Sequence, residues 1–291
     1  MTKKELLNNI EQYIKENNYD IYDLVVSDNE SNIEIRKIKE INFLPDSYSV
    51  AKAWTTQACG ILYDEGKLDL NESITTILKE DINYSYNPIW DTLTVHDALK
   101  HHLGIENNYL DIDCDDPIKF GDDYLKYILQ NAKFVYKPKI DYSYTDAAFY
   151  LISRIIYKKT NLDLCDFLKI KLFDDLNIKT YTWTKCPKGY SMGGTGLYMN
   201  SIDTVKLPTL LLNRGVYKGK QLLSINWINI LEENQYENYL LDNDWYQKGG
   251  MANQIVMYNK KYNIAVSWHG HDSHLRELRE FVIKIVTDTV K

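Results

Sequence analysis

The chain has 291 residues, 44% hydrophobic and 26% charged, with a formal net charge of −7. That is ordinary for a globular protein, enough to bury a large core, and fits one two-lobed or two compact domains. With no basic block, nucleic acid is excluded as an expected partner, because phosphate binding needs clustered Lys and Arg.

The opening segment, MTKKELLNNIEQYIKENNYD, carries scattered charges and no long apolar run, so it does not read as a secretory signal; no stretch approaches the length of a membrane span. Four cysteines, Cys59, Cys114, Cys165 and Cys186, lie far apart and read as reduced thiols of a cytoplasmic protein. Residues 2–17 form an amphipathic helix, with Thr2 and Glu5 as a capping box and Leu6, Leu7, Ile10, Tyr13 and Ile14 as the apolar stripe. Strand patterns follow at 23–27 and 32–38, joined by a turn at 28–31.

Next comes Ser49 with Lys52, an S-x-x-K pair leading a helix whose apolar Val50, Trp54, Ala58, Ile61 and Leu62 recur at helical spacing up to Gly66. Positions three apart share a helix face, so the Lys amine reaches the Ser hydroxyl. Desolvation can lower the pKa of such an amine until it takes the hydroxyl proton, which makes a serine nucleophile without histidine. At this Ser and Lys content, about one S-x-x-K pair arises by chance, so its context carries the argument.

From 68 to 235 the pattern is mostly helical, with helices expected at 94–101, 122–130, 145–159, 163–173 and 202–213. Strand patterns return at 244–249, 253–258 and 262–268, and a final helix starts near Ser273. The order implies an α+β fold, a single catalytic domain over 1–291. One mainly antiparallel sheet of about five strands is flanked by the terminal helices in an α/β lobe (1–67 and 236–291), beside a helical lobe (68–235).

Four ordered segments resemble the serine β-lactamase and penicillin-binding-protein superfamily, most closely its branch of class C β-lactamases, D-Ala-D-Ala carboxypeptidases and related esterases. YSVAKAWTTQACGILYDEGKLDLNESI is similar to that family's nucleophile helix and the exit from it. LTVHDALKHHLGI is similar to its "LTVRDLLTHTSGL", and IDYSYTDAAFYLISRII to its "YSNTNYxLLGxII". GGTGLYMNSIDTVKLPTLLLNRGVYKGKQLLS is similar to the stretch before the last strands.

The resemblance implies a β-lactamase/transpeptidase-like fold with Ser49 as the acylated nucleophile, Lys52 as its activating partner and Tyr142 sharing the proton transfers. Lys248-Gly249-Gly250 takes the place of the third motif, with Lys248 binding a substrate carboxylate. The backbone N–H groups of Ser49 and Met251 would form the oxyanion hole. Two departures bear on specificity: Tyr144 stands where the family has an Asn that contacts the substrate amide, and Gly249 where it has a Thr. The implied partner is a small-molecule or peptide substrate with a carbonyl group, without metal or organic cofactor. β-Lactamase or D,D-peptidase, cytoplasmic esterase or amidase, and non-catalytic binding protein are the competing functions.

Two polar runs invite a metal reading. His269-Gly-His271-Asp272-Ser-His274 has the Asp one position early for a metallo-β-lactamase pattern and reads as a solvated turn before the last helix. Asp111-Ile-Asp113-Cys-Asp115-Asp116 lacks the Gly and Glu of a calcium loop and reads as a solvated acidic loop. Cys59 reads as a core residue.

Overall fold

The computed structural model describes residues 2–272 and 275–289. It divides into two compact units: 1–50, 175–182 and 197–291 form the first, and 51–174 with 183–196 the second.

The first unit is built on a six-stranded sheet. Its spatial order is Glu34–Lys37, Ile21–Ser27, Ile264–Gly270, Ile255–Asn259, Trp245–Gly249 and Tyr239–Leu240, every neighbouring pair antiparallel. Tyr239–Leu240, a two-residue edge strand, is the one the sequence pattern does not reveal. Side-chain alternation sends Leu24, Val26, Met257, Val266 and Trp268 to one face. There they pack with Leu6, Leu7, Ile10 and Ile14 of the first helix (Lys3–Glu16) and Leu278, Val282 and Val286 of the last (Leu275–Thr289).

Ile255–Asn259 and Ile264–Gly270 are buried at every position. A strand buried on both sides needs a second cover. The Lys206–Leu212 helix supplies it, lying against those two strands. This stretch therefore belongs with the sheet and not with the helical lobe to which its sequence pattern assigned it.

The second unit gathers around the Ala51–Asp64 and Asp146–Thr160 helices, which pack on each other. Ala51–Leu62 is buried all round, with the polar Lys52 and Gln57 among mostly apolar or small residues. Thr94 and Asp97 form a capping box on Val95–Leu99, and Asn161 ends Asp146–Thr160 in the left-handed conformation. The expected helix at 163–173 is a short α-helix, Leu164–Leu168, followed by a π turn, Lys169–Phe173. The unit boundary falls at Val50/Ala51, so the helix that follows Ser49 packs with the helical unit.

Candidate active site

Ser49 sits in the middle of a single 3-10 turn, Tyr48–Val50, which runs directly into Ala51–Asp64. The turn closes through the Val50 N–H, which donates to the Ser47 carbonyl at 3.0 Å. Asp46 accepts the Tyr48 N–H on its carboxylate at 2.7 Å. Tyr48 has φ of +44°, a left-handed conformation that costs a bulky residue on the order of 1–2 kcal/mol. Ser49 itself is partly exposed.

Lys52, on the first turn of the helix, is completely buried. Its ammonium is ion-paired with Asp146, donates to the Gly194 carbonyl at 2.7 Å, and lies 4.7 Å from the centre of the Tyr144 ring. Sequence reasoning expected desolvation to free this amine as a base. The residue instead stands as one half of a buried ion pair.

Asp146 opens the Asp146–Thr160 helix, where a negative charge is favoured by the exposed N–H groups. Its neighbour Thr145 caps that helix, accepting the Ala147 N–H and donating to the Tyr109 carbonyl at 2.7 Å. The carbonyl that meets Lys52 belongs to a glycine pair. A Cβ on Gly194 would stand 2.9 Å from Oδ1 of Asp146, and one on Gly193 (φ +72°) 2.4 Å from the Phe149 carbonyl oxygen.

Tyr142 is exposed by 52%. Its ring centre is 5.5 Å from that of His101, a buried residue whose φ is +55°. His101 organises the whole segment: its carbonyl accepts the Ser143 N–H at 2.8 Å, and its Nδ1 lies 3.3 Å from the Thr145 N. Tyr144 stacks obliquely on the same imidazole, ring centres 4.5 Å apart. The side chain that replaces the family's Asn thus covers Lys52, and Asp146 supplies the polar contact to the lysine.

In the first unit, Lys248 lies on the Trp245–Gly249 strand, only 5% exposed. It is ion-paired with the fully buried Glu237, which also accepts the Tyr239 hydroxyl at 2.9 Å. The ammonium expected to grip a substrate carboxylate already has an internal carboxylate. Gly250 marks where the end of this strand meets the turn before Ser49, since a Cβ there would be 2.7 Å from both the Ser47 carbonyl oxygen and Oε1 of Gln254. Met251, next in the chain, is 56% exposed. A cavity of about 280 Å³ beside the same turn is lined by Tyr22, Phe43, Pro45, Tyr48, Tyr198 and His271.

The histidine run is not a solvated turn at its start. His269 is fully buried and bonds two serine hydroxyls, Ser47 and Ser201, while His271 is exposed and His274 lies outside the described residues. In the acidic loop, Asp111, Asp113 and Asp146 bring carboxylate oxygens within 4.8 Å of one another. Each already has a partner: Asp111 accepts N–H groups of Asp113 and Cys114, Asp113 the Thr195 hydroxyl, and Asp146 the Lys52 ammonium. Cys59 is fully buried, and burial pushes its thiol up, the reverse of an activated nucleophile.

Sequence reasoning missed Asp146, His101, Glu237 and His269. Asp146 had a local signal in the Thr145-Asp146 helix start directly behind the tyrosine motif, and His269 one in the histidine run it opens.

An antiparallel sheet covered on one face by the terminal helices, a helical unit, and an S-x-x-K pair at the head of a buried helix define the β-lactamase/transpeptidase-like class of fold. The chain belongs to the Beta-lactamase family, whose model matches residues 25–282. No curated protein matches the sequence.

Among solved structures, the chain is similar to a protein from Bacillus anthracis assigned as a 6-aminohexanoate-dimer hydrolase, with TM-score 0.75 and 17% identity over 100% of this chain and 81% of that one. EstCE1, a hydrolase with promiscuous acyltransferase activity, gives TM-score 0.73 and 11% identity, covering 97% of each chain. A penicillin-binding protein homologue from Caulobacter crescentus gives TM-score 0.70 and 12% identity over 92% of this chain and 91% of that one. At these identities the likeness establishes the fold.

Proposed function

We propose that the protein is a serine acyl hydrolase, acylated at Ser49, that cleaves an ester or amide of a substrate without a carboxylate. Family membership and fold support the hydrolase class. The observation that carries the reading is Lys52: a fully buried ammonium three residues from a partly exposed serine, held by Asp146 and the Gly194 carbonyl. Burying a charge is costly, so a buried ammonium beside a partly exposed serine is held there by partners built around it.

In this mechanism Tyr142 enters as the phenolate and takes the Ser49 proton while Ser49 Oγ bonds to the carbonyl carbon and the carbonyl π electrons move onto its oxygen. The backbone N–H groups of Ser49 and Met251 stabilise the oxyanion, each contributing about 3 kcal/mol. Tyr142 returns the proton to the leaving group, and water then cleaves the acyl-enzyme.

The restriction to substrates without a carboxylate follows from Lys248, whose ammonium is neutralised by Glu237, and from Gly249, which has no hydroxyl. A second reading, a non-catalytic binding protein, is favoured by the Tyr144 ring lying over Lys52.

A fluorophosphonate is expected to leave one covalent adduct on the wild type and none on Ser49→Ala; labelling that persists in the variant overturns the assignment. Turnover of p-nitrophenyl esters without nitrocefin hydrolysis supports the esterase reading. Lactam turnover supports a β-lactamase, and neither turnover nor adduct supports the binding protein.

A further inference from the structure

Three segments of the first unit converge on one imidazole. His269, at the end of the Ile264–Gly270 strand, is fully buried, with Nδ1 2.6 Å from the Ser201 hydroxyl and Nε2 3.1 Å from the Ser47 hydroxyl. Ser201 donates to the carboxylate of Asp23 on the Ile21–Ser27 strand, and the His269 backbone N–H reaches the same carboxylate. Ser47 is fully buried; its N–H donates to the Leu197 carbonyl at 2.8 Å, and its own carbonyl closes the turn that contains Ser49.

With Asp23 ionised and His269 neutral, one order of protons satisfies this chain. The Ser201 hydroxyl gives its proton to Asp23, so its oxygen accepts from Nδ1–H of a neutral imidazole. Nε2 is then the acceptor, and the Ser47 hydroxyl donates to it.

Between Ser47 and Ser49 stands Tyr48 at φ +44°. A bulky residue keeps such a conformation only where the flanking structure over-determines it. Downstream the turn is continuous with the buried Ala51–Asp64 helix; upstream it is anchored at Ser47 by the Leu197 carbonyl and His269. We propose that Asp23, Ser201, His269 and Ser47 form a positioning relay that holds the strained Tyr48 turn, and through it Ser49, in the geometry for attack. The relay acts through Ser47 and touches neither substrate nor Ser49 Oγ. The inference rests on the reading of Ser49 as nucleophile.

The test is the kinetics of fluorophosphonate labelling of the full chain, separated into maximal rate and half-saturating concentration, with the folded fraction of each variant measured by circular dichroism. Ser47→Ala and His269→Phe are expected to lower the maximal labelling rate about 10- to 100-fold, the cost of an ångström-scale misplacement, with half-saturation unchanged. His269→Asn, which keeps a neutral donor and acceptor, is expected to retain more rate than His269→Phe.

The decisive variant is Tyr48→Gly in the Ser47→Ala background. Glycine adopts positive φ without strain, so the turn no longer needs its anchor and the rate recovers at least in part. A Ser47→Ala rate equal to wild type, a loss that only follows the folded fraction, or no recovery with Tyr48→Gly overturns the relay while the nucleophile reading stands. A wild type that is not labelled at Ser49 overturns both.

Discussion

The Lys52–Asp146 pair joins residues 94 positions apart in the chain. Lys52 is fully buried and the Asp146 side chain 8% exposed. Removing one partner of such a pair leaves an uncompensated buried charge, which costs about 3–5 kcal/mol. Asp146→Ala is therefore expected to lose that much stability in urea denaturation. Lys52→Met added to Asp146→Ala is expected to recover part of it, because no charge is then left unpaired; a double variant as unstable as the sum of the singles contradicts the pairing. Ser49 and Lys52 were legible in the sequence because helix geometry relates them over three residues. Asp146, Gly194 and Glu237 were not, since spacing carries no information about partners brought together by tertiary folding. The same limit hid the fate of Lys248: its place in the motif was readable, but its commitment to Glu237 depends on the two-residue edge strand and the turn before it.

At the scale of elements, the glycine pair at 193–194 sets how closely the loop approaches the Asp146–Thr160 helix. Gly193→Ala places a methyl 2.4 Å from the Phe149 carbonyl oxygen and forces a left-handed alanine. A helix carbonyl cannot yield cheaply, so the substitution is expected to cost at least about 2 kcal/mol in chemical denaturation. Periodicity and caps located most of the helices: the Thr2–Glu5 and Thr94–Asp97 boxes stand where their residues put them. They did not reveal the π turn at Lys169–Phe173, because its apolar spacing still reads as helical. Nor did they reveal which helices cover the sheet, since an apolar face announces burial without naming what it is buried against.

For the molecule as a whole, acid is the vulnerable side. Burial lowers His269 to about 3 from the ordinary histidine value near 6.5. The unfolded chain therefore binds a proton that the folded chain refuses between those values, and stability falls as pH drops from about 6.5 toward 3. At pH 4 the loss relative to pH 7 is roughly 3 kcal/mol, visible as a lower thermal midpoint and largely absent in His269→Gln. Asp23 acts the other way, because burial raises its carboxyl and the folded state holds its proton more tightly than the unfolded chain does. A thermal midpoint that does not change between pH 7 and 4 contradicts this account. The pairing of Ile21–Ser27 with Ile264–Gly270 has a further consequence for biosynthesis. Asp23 cannot meet His269 until nearly the whole chain has left the ribosome, a wait of roughly 12–50 s at ordinary elongation rates. During that interval Ile21–Ser27 can pair only with Glu34–Lys37, and its other, largely apolar edge is exposed to aggregation. The second unit, whose residues all lie between 51 and 196, is complete before then. The order of folding thus departs from the order of synthesis: the middle can fold first, and the first strand is among the last to complete its pairing.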